Sequence, residues 1–259
     1  MAVPTHALAP AARAVREIAA CAVLLVAIAA GLQLIEGYLP NPLTRAIFGA
    51  VGVSIVVGQL GLEKDAALRL EGRRIAASAT LGLLLAVIPL LAALATGSRI
   101  RTGEVGLATV LGVAQSVAVA YRDELWLHGL PAFFARRANV PLRFVLPYLV
   151  VTGIAPVLLD AHATPAGLAL VASSSLLFTV LWLRGGGAVV PVVAHLVWRL
   201  VAEVVFAGDV FDLEPNKLPT GARASGTLVW VSAVAMVAAA LLTWRWAVRL
   251  RLRSPAEDS

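Results

Sequence analysis

Three of the four histidines lie in or beside apolar stretches and have ionisable residues nearby: His128 after Asp123 and Glu124, His162 after Asp160, and His195 before Arg199 and Glu203. Ionisable groups are costly to bury in lipid, so within a membrane they usually face a polar interior and mark a functional site. A carboxylate beside an imidazole is also a pair that can activate water. We therefore expect these side chains to form one intramembrane centre.

The composition of the chain predicts that these residues lie in a membrane. Of its 259 residues, 60% are hydrophobic, and its mean hydropathy is +0.88. This is too apolar for a water-soluble domain, and apolar runs of about 18 residues or more are typical of transmembrane helices. The sequence therefore predicts an all-α, polytopic membrane bundle of about eight helices, at 17–38, 43–62, 75–97, 104–121, 143–160, 165–183, 187–207 and 226–247.

The distribution of basic residues favours an orientation with both termini in the cytoplasm. Most lysines and arginines then fall in inside segments, and the outside segments hold Arg45, Arg99, Arg101, Lys217 and Arg223. This asymmetry is typical of a multi-pass protein of the inner (plasma) membrane. The net charge of +6 is thus explained by topology and by contact with membrane lipid, and nucleic acid is not an expected partner.

The chain is predicted to form one bundle between two tails. The cytoplasmic N-terminal tail covers residues 1–16, the bundle covers 17–247, and the C-terminal tail, basic and then acidic, covers 248–259. A cleavage-like Ala27-Ile28-Ala29 leaves open a signal peptide in place of the first span, although the apolar run is longer than a usual signal core.

His195 is the most informative histidine when each is taken alone. It lies in the middle of the seventh predicted span, and Arg199 and Glu203 follow it on the same helix face at steps of four residues. An Arg199–Glu203 ion pair, with His195 hydrogen-bonded to a neighbouring helix, would explain this stripe without any chemistry. A functional site better explains why a histidine is aligned with the pair.

The other two histidines carry less information by themselves. Glu124 and His128 share one helix face, whereas Asp123 points about 100° away. The alternative interpretation of this segment is a helix end that meets lipid headgroups. His162 precedes a Thr164-Pro165 turn and, alone, is typical of an interfacial histidine.

Taken in order, three segments resemble the motifs of the CAAX-protease and bacteriocin-processing (CPBP, or Abi) family of intramembrane proteases, which are E-E-x-x-x-R-G, F-x-x-x-H and H-x-x-x-N. Here they read Asp123-Glu124-Leu125-Trp126-Leu127-His128-Gly129, Leu158-Leu159-Asp160-Ala161-His162 and His195-Leu196-Val197-Trp198-Arg199. The resemblance covers about residues 104–207, and the spacing of the last two histidines and the helix count also fit. The chain departs from the pattern at Asp123, His128 and Arg199, with a milder change at Leu158.

The resemblance implies an intramembrane endopeptidase that cleaves a membrane-associated peptide or protein. Asp123 and His162 would activate water, and His195 with Arg199 would stabilise the oxyanion. Glu124 belongs to the same centre, and His128 and Glu203 would support it. The departures leave two alternatives: a catalytically inactive relative that binds a peptide or partner protein in immunity or sorting, and a proton- or metal-coupled transporter.

Two further expectations concern the centre. Three histidines with a carboxylate suit zinc, so His128, His162 and His195 form a hypothetical zinc site; no other cofactor is indicated. The predicted spans place Asp123 near the inside face and His162 near the outside face, about 30 Å apart. The centre can therefore converge only if a span boundary is wrong or a segment such as 122–142 dips back into the bundle.

Overall fold

A computed structural model describes residues 8–61, 72–140, 142–158, 164–184, 188–206, 210–214 and 224–252. Within these ranges the chain is almost entirely helical. The α-helices are α1 (Leu8–Tyr38), α2 (Pro42–Gln59), α3 (Gly72–Ala95), α4 (Leu107–Asp123), α5 (Leu130–Arg137), α6 (Leu142–Leu158), α7 (Pro165–Arg184), α8 (Val189–Arg199) and α9 (Ala224–Leu252).

Two π-helical turns extend these helices. The first π turn, Glu124–Gly129, joins α4 to α5 without a break, and the second π turn, Leu200–Val205, continues α8. The described chain therefore forms eight continuous helices at the positions of the eight predicted segments. The predicted end of the fourth segment at residue 121 was wrong, because its helix continues to Arg137.

The proline at position 131 gives a physical reason for the first π turn. Proline lacks the N–H that would bond to the carbonyl four residues earlier, and its ring crowds that carbonyl. In the π turn, the N–H of Leu130 bonds instead to the carbonyl of Leu125, one residue further back than in an α-helix. The helix has thus already changed to the wider π hydrogen-bonding pattern before Pro131, so it can continue past the proline.

Within the described ranges, five helical segments are long and apolar enough to cross a membrane: Ala12–Ile35, Pro42–Gln59, Gly72–Ala95, Pro165–Arg184 and Leu228–Arg245. Large apolar side chains on these segments are exposed, among them Val26, Leu34, Leu84, Val234 and Leu242. Water would disfavour such a surface, whereas lipid chains solvate it. These features indicate a membrane protein, and the orientation of its termini stays a prediction.

Two buried apolar clusters flank the middle of the bundle. The first joins α1, α2, the first π turn, α5 and α7 through Cys21, Val53, Leu125, Leu130 and Trp182. The second joins α3, α7, α8 and α9 through Leu85, Leu177, Phe178, Ala194 and Met236. Since α7 and its neighbours contribute to both clusters, residues between them are held by packing from either side.

The crossing of α3 and α8 is unusually close. A Cβ atom at Gly82 of α3 would overlap the carbonyl oxygen of Ala194 and would lie 2.9 Å from Cβ of Val197. Small residues at helix crossings allow the backbones to approach in this way. The glycine at position 82 therefore allows α3 to lie close to the part of α8 that carries His195.

Two short strands pair on the connections that follow α3 and the second π turn. Strand β1 (Arg99–Thr102) runs antiparallel to β2 (Phe211–Glu214), with Arg99 opposite Glu214 and Thr102 opposite Phe211. The pair ties the beginning of α4 to the segment that precedes α9.

Candidate functional site

Glu124 is the centre around which the polar side chains gather. It is the first residue of the first π turn, and its side chain is completely buried. Its Oε1 lies 2.8 Å from Nδ1 of His195, and Trp182 Nε1 donates a hydrogen bond of 2.9 Å to Oε2. Nδ1 of His128 lies 3.5 Å from the same Oε2. Three ring nitrogens therefore surround one carboxylate, in the way that a buried charge requires.

Three different helices supply these partners. His128 follows Glu124 by four residues, and the π turn keeps both side chains on one buried face, as the helical spacing predicted. His195 comes from α8, 71 residues further along the chain. Trp182 comes from α7, and the sequence analysis assigned it no role.

Phe178 of α7 packs against both imidazoles. Its ring stacks on His195 with centroids 4.6 Å apart and planes 16° from parallel, and its centroid lies 6.0 Å from that of His128. Aromatic packing of this kind restricts ring rotation. The two imidazoles are thus held by a carboxylate on one side and by an apolar ring on another.

The imidazoles open onto a cavity of about 280 Å³. Its polar lining includes Arg122, Asp123, His128, Ser174, Ser175 and His195, and its apolar lining includes Trp126, Phe178 and Trp198. A concave site with a few convergent polar groups in an apolar wall is the usual form of a ligand site. The arrangement can bind a polar group of a ligand and hold it away from bulk solvent.

Asp123 lies at the cavity but is paired with its neighbour. Nε and Nη2 of Arg122 both lie 2.7 Å from Asp123 Oδ1. Arg122 is itself packed on α2, since a Cβ atom at Gly49 would lie 2.9 Å from its Cδ. Asp123 could therefore act as a base only by competing with an adjacent guanidinium, and its predicted role in activating water stays a prediction.

Arg199 forms an ion pair with Glu203 on its own helix, with Nε and Oε2 2.7 Å apart. Trp198 lines the cavity in this region, and Arg199 is not among the lining residues. This ion pair is the one that the sequence analysis considered as an explanation of the polar stripe without a catalytic role. His195 also contacts a neighbouring helix, as that explanation required, but its partner is the buried carboxylate of the first motif.

The predicted zinc site depends on a residue whose placement is not described. His162 and Asp160 lie outside the described residues. Within the part of the chain that the structure describes, no group of three or more His, Cys, Asp or Glu side chains is arranged to hold a metal ion. A zinc site at His128, His162 and His195 stays a prediction.

The segment after Asp123 lies where the predicted bundle needed it, whereas the depth of His162 stays a prediction because that residue lies outside the described ranges. Most of the first π turn and of α5 is buried, including Glu124, His128, Leu130 and Ala132. This segment therefore packs inside the bundle, and it brings the first motif against the third.

Sequence reasoning missed Trp182 and the close contact between α6 and α7. A buried tryptophan needs an acceptor for its N–H, and this was the signal that could have pointed to Trp182. A Cβ atom at Gly153 would overlap Ser175 Oγ and would lie 3.3 Å from His128 Nε2. Ser175 also donates a hydrogen bond to the carbonyl of Val150 on α6.

The geometry thus defines a buried carboxylate with two imidazoles at a cavity in a helical bundle. No family model, curated protein or solved structure matches the chain. The resemblance to the CPBP family rests on the three sequence segments.

Proposed function

We propose that the protein is a membrane-embedded endopeptidase, similar to the CPBP family, that cleaves a membrane-associated peptide or protein. The observation that carries the proposal is the contact of Glu124 with His195 and His128 at the wall of the cavity. Residues of two sequence motifs meet there, although they lie far apart in the chain.

The site offers a group for one of the demands of peptide hydrolysis, the stabilisation of the oxyanion. An ionised carboxylate can only accept hydrogen bonds, so Nδ1 of His195 carries a proton and Nε2 remains for a reactant. When the ring also carries a proton on Nε2, this nitrogen can donate to the oxyanion of a tetrahedral intermediate and stabilise it. Trp126, Phe178 and Trp198 form an apolar wall, and such a wall strengthens the electrostatic effect of these groups.

The cavity also limits the substrate. A volume of about 280 Å³ is near the lower limit for ligand sites, which span roughly 300–1,000 Å³. It suits a short extended piece of peptide rather than a folded domain. We place the enzyme in the inner (plasma) membrane with eight spans and both termini in the cytoplasm, on the basis of its basic segments and its eight apolar helical segments.

Cleavage by the purified protein tests the proposal. The full chain is reconstituted in liposomes with a library of membrane-anchored, internally quenched peptides. We expect cleavage by the wild type and a loss of about 10²-fold or more in Glu124→Gln and His195→Ala, because each removes a group that contacts the reacting atoms or orients one that does. Glu104→Gln makes the same chemical change at an exposed position and should leave the rate unchanged.

Equal rates of cleavage by the wild type and both site variants would overturn the proposal, as would a wild type that cleaves nothing.

A peptide-binding protein without catalysis is the second candidate. It is favoured by the Asp123–Arg122 and Arg199–Glu203 pairs, because both occupy groups that the resemblance assigns to the reaction. A wild type that crosslinks photoreactive peptides at the cavity and leaves them intact would support it.

A further inference from the structure

A buried acid lies among arginines where the N-terminal part of α1 meets the end of α5. Glu17 belongs to the first turns of the apolar segment Ala12–Ile35, and it is only 4% exposed. A carboxylate in such a place is costly unless it is paired, so its partners show how this region is built. The region is separate from the candidate site, since neither Glu17 nor its partners Arg16 and Arg137 line the cavity.

Two arginines from different helices contact this carboxylate. Nε of Arg137, the last residue of α5, lies 3.3 Å from Oε2 of Glu17, and Nη2 of Arg16 lies 3.7 Å from Oε1. The guanidinium of Arg137 also lies over the ring of Phe133, 6.0 Å from its centroid, where the face of the ring attracts a cation. The two guanidinium groups are therefore held beside each other at the α1–α5 junction.

The α1–α5 junction holds more positive charge than Glu17 can balance. One carboxylate offsets one of the two guanidinium groups that contact it. Arg13, which precedes Glu17 by four residues on the same helix face, and Arg136 add two exposed cations. The side chains of Arg16 and Arg137 are 75% and 49% exposed, so N–H groups that Glu17 does not use are open to a ligand. An anion is the ligand that this arrangement can accept.

The surface next to these arginines is apolar. Val15 and Ile18 lie directly before and after the Arg16–Glu17 pair in the chain, and both are exposed. Val26, three helical turns after Val15, continues the exposed apolar face along α1. Lipid chains solvate such a surface better than water does. A ligand that contacts both the arginines and this face has an anionic head and an apolar tail.

Two simpler explanations account for only part of the α1–α5 junction. Arginines are common at the cytoplasmic ends of spans, but that preference does not require a buried glutamate that brings two of them together. An ion pair that only joins α1 to α5 would explain Arg137. It leaves the exposed positive charge of Arg16 without a purpose.

We infer that the α1–α5 junction is a binding site for an anionic phospholipid, whose phosphate contacts Arg16 and Arg137 and whose acyl chains lie along α1. Guanidinium groups match phosphate oxygens with paired N–H donors. Both arginines belong to segments that the charge distribution places in the cytoplasm, and the cytoplasmic leaflet is the one that carries anionic headgroups. The site goes beyond the proposed function, because it does not depend on cleavage.

Titration of the purified full chain with short-chain lipids tests the site. The protein in a non-ionic detergent is titrated with dioctanoyl phosphatidylglycerol, dioctanoyl phosphatidylcholine or inorganic phosphate, and native mass spectrometry counts the bound molecules. We expect saturable binding of phosphatidylglycerol and much weaker binding of the other two. Equal binding of the two lipids would mean that the acyl chains alone are recognised. Equal binding of inorganic phosphate would mean a site for a free anion. Either result overturns the inference.

Arginine variants locate the binding. Arg16→Gln and Arg137→Gln should each weaken the binding of phosphatidylglycerol by about 5-fold, which corresponds to the contribution of one basic residue near anionic lipid. Arg73→Gln is the matched control, because it removes the same charge from an exposed position of α3 that is also predicted to be cytoplasmic. It should bind the lipid like the wild type.

The exposed position of Arg16 keeps the test valid if Arg137→Gln fails to fold, because the side chain of Arg16 has little packing to lose. Wild-type affinity in Arg16→Gln, or equal losses in Arg16→Gln and Arg73→Gln, would show a diffuse basic surface and overturn the inference. Each readout is lipid binding and not cleavage, so a failure of the proposed function would leave this result unchanged.

Discussion

The two π turns of the molecule contain similar residues in different surroundings. In the first, Glu124 is completely buried, and its partners come from α7, α8 and its own turn. In the second, the side chain of Glu203 is 47% exposed, and its partner is Arg199 on the same helix. Each turn carries a carboxylate, but among the described residues only the first turn contributes to the lining of the cavity. The comparison shows that the surrounding helices, and not the helix distortion, decide which carboxylate becomes part of a site.

The energetics of the two contacts should differ accordingly. A buried charge that loses its partner is strongly unfavourable, whereas an exposed ion pair adds little because water solvates both ions well. Three experiments would break or sharpen this contrast.

The largest effect is expected for neutralising the two carboxylates. Glu124→Gln removes the buried carboxylate around which His195, His128 and Trp182 are arranged, and we expect the free energy of unfolding to fall by about 3 kcal/mol or more. Glu203→Gln should change it by no more than about 1 kcal/mol. Reversible unfolding in mixed detergent micelles measures both. Equal losses in the two variants would contradict the contrast between the turns.

A smaller effect is expected for Trp182→Phe, which removes one hydrogen bond to the charged Glu124 and keeps most of the apolar contact. The loss in the free energy of unfolding should be about 1.5–3 kcal/mol. Trp230→Phe on α9 is the matched control, because Trp230 is 51% exposed, and it should change stability very little. If Trp182→Phe unfolded like the wild type, the hydrogen bond from α7 would contribute nothing to the stability of the buried carboxylate.

The smallest effect is expected for Gly82→Ala, which tests whether α8 must lie close to α3. The new Cβ overlaps backbone of Ala194, and overpacking costs typically about 1–3 kcal/mol, partly offset by about 1 kcal/mol from the better helix propensity of alanine. Gly52→Ala on α2 meets open space and should be neutral or stabilising. A shift of α8 would also lengthen the contact of His195 with Glu124, and NMR of the protein labelled with ¹⁵N-histidine would report this change. An unchanged spectrum and stability would show that the crossing is adaptable.

The helix positions could be predicted because they depend on local composition. Apolar runs mark the helices, and the polar and glycine-rich segments between them mark the helix ends. The eight predicted segments lie at the positions of eight continuous helices of the described chain. The end at residue 121 was misplaced because the polar Arg122-Asp123-Glu124 resembles a helix terminus. For Glu124, the preference for an interface was overridden by buried partners that lie elsewhere in the sequence, Trp182 and His195.

The candidate site was predicted only in part for a similar reason. The shared face of Glu124 and His128 follows from helical spacing, which is a local property. The contact of Glu124 with Trp182 depends on how α7 packs, and no local pattern encodes it. Nε2 of His128 has no hydrogen-bond partner among the described residues, and its surroundings likewise depend on the close approach of α6 and α7 at Gly153.

The sequence alone determined that this chain is helical and apolar enough for a membrane, and it predicts that a small set of histidines and carboxylates carries its chemistry. Hydropathy and helical periodicity suffice for this, because each acts over a few turns of chain. Only the tertiary structure decided how these residues combine: Glu124 meets His195 and Trp182, while Asp123 and Arg199 pair with near neighbours. The physical reason is that the free energy of a buried charge depends on what other helices bring to it.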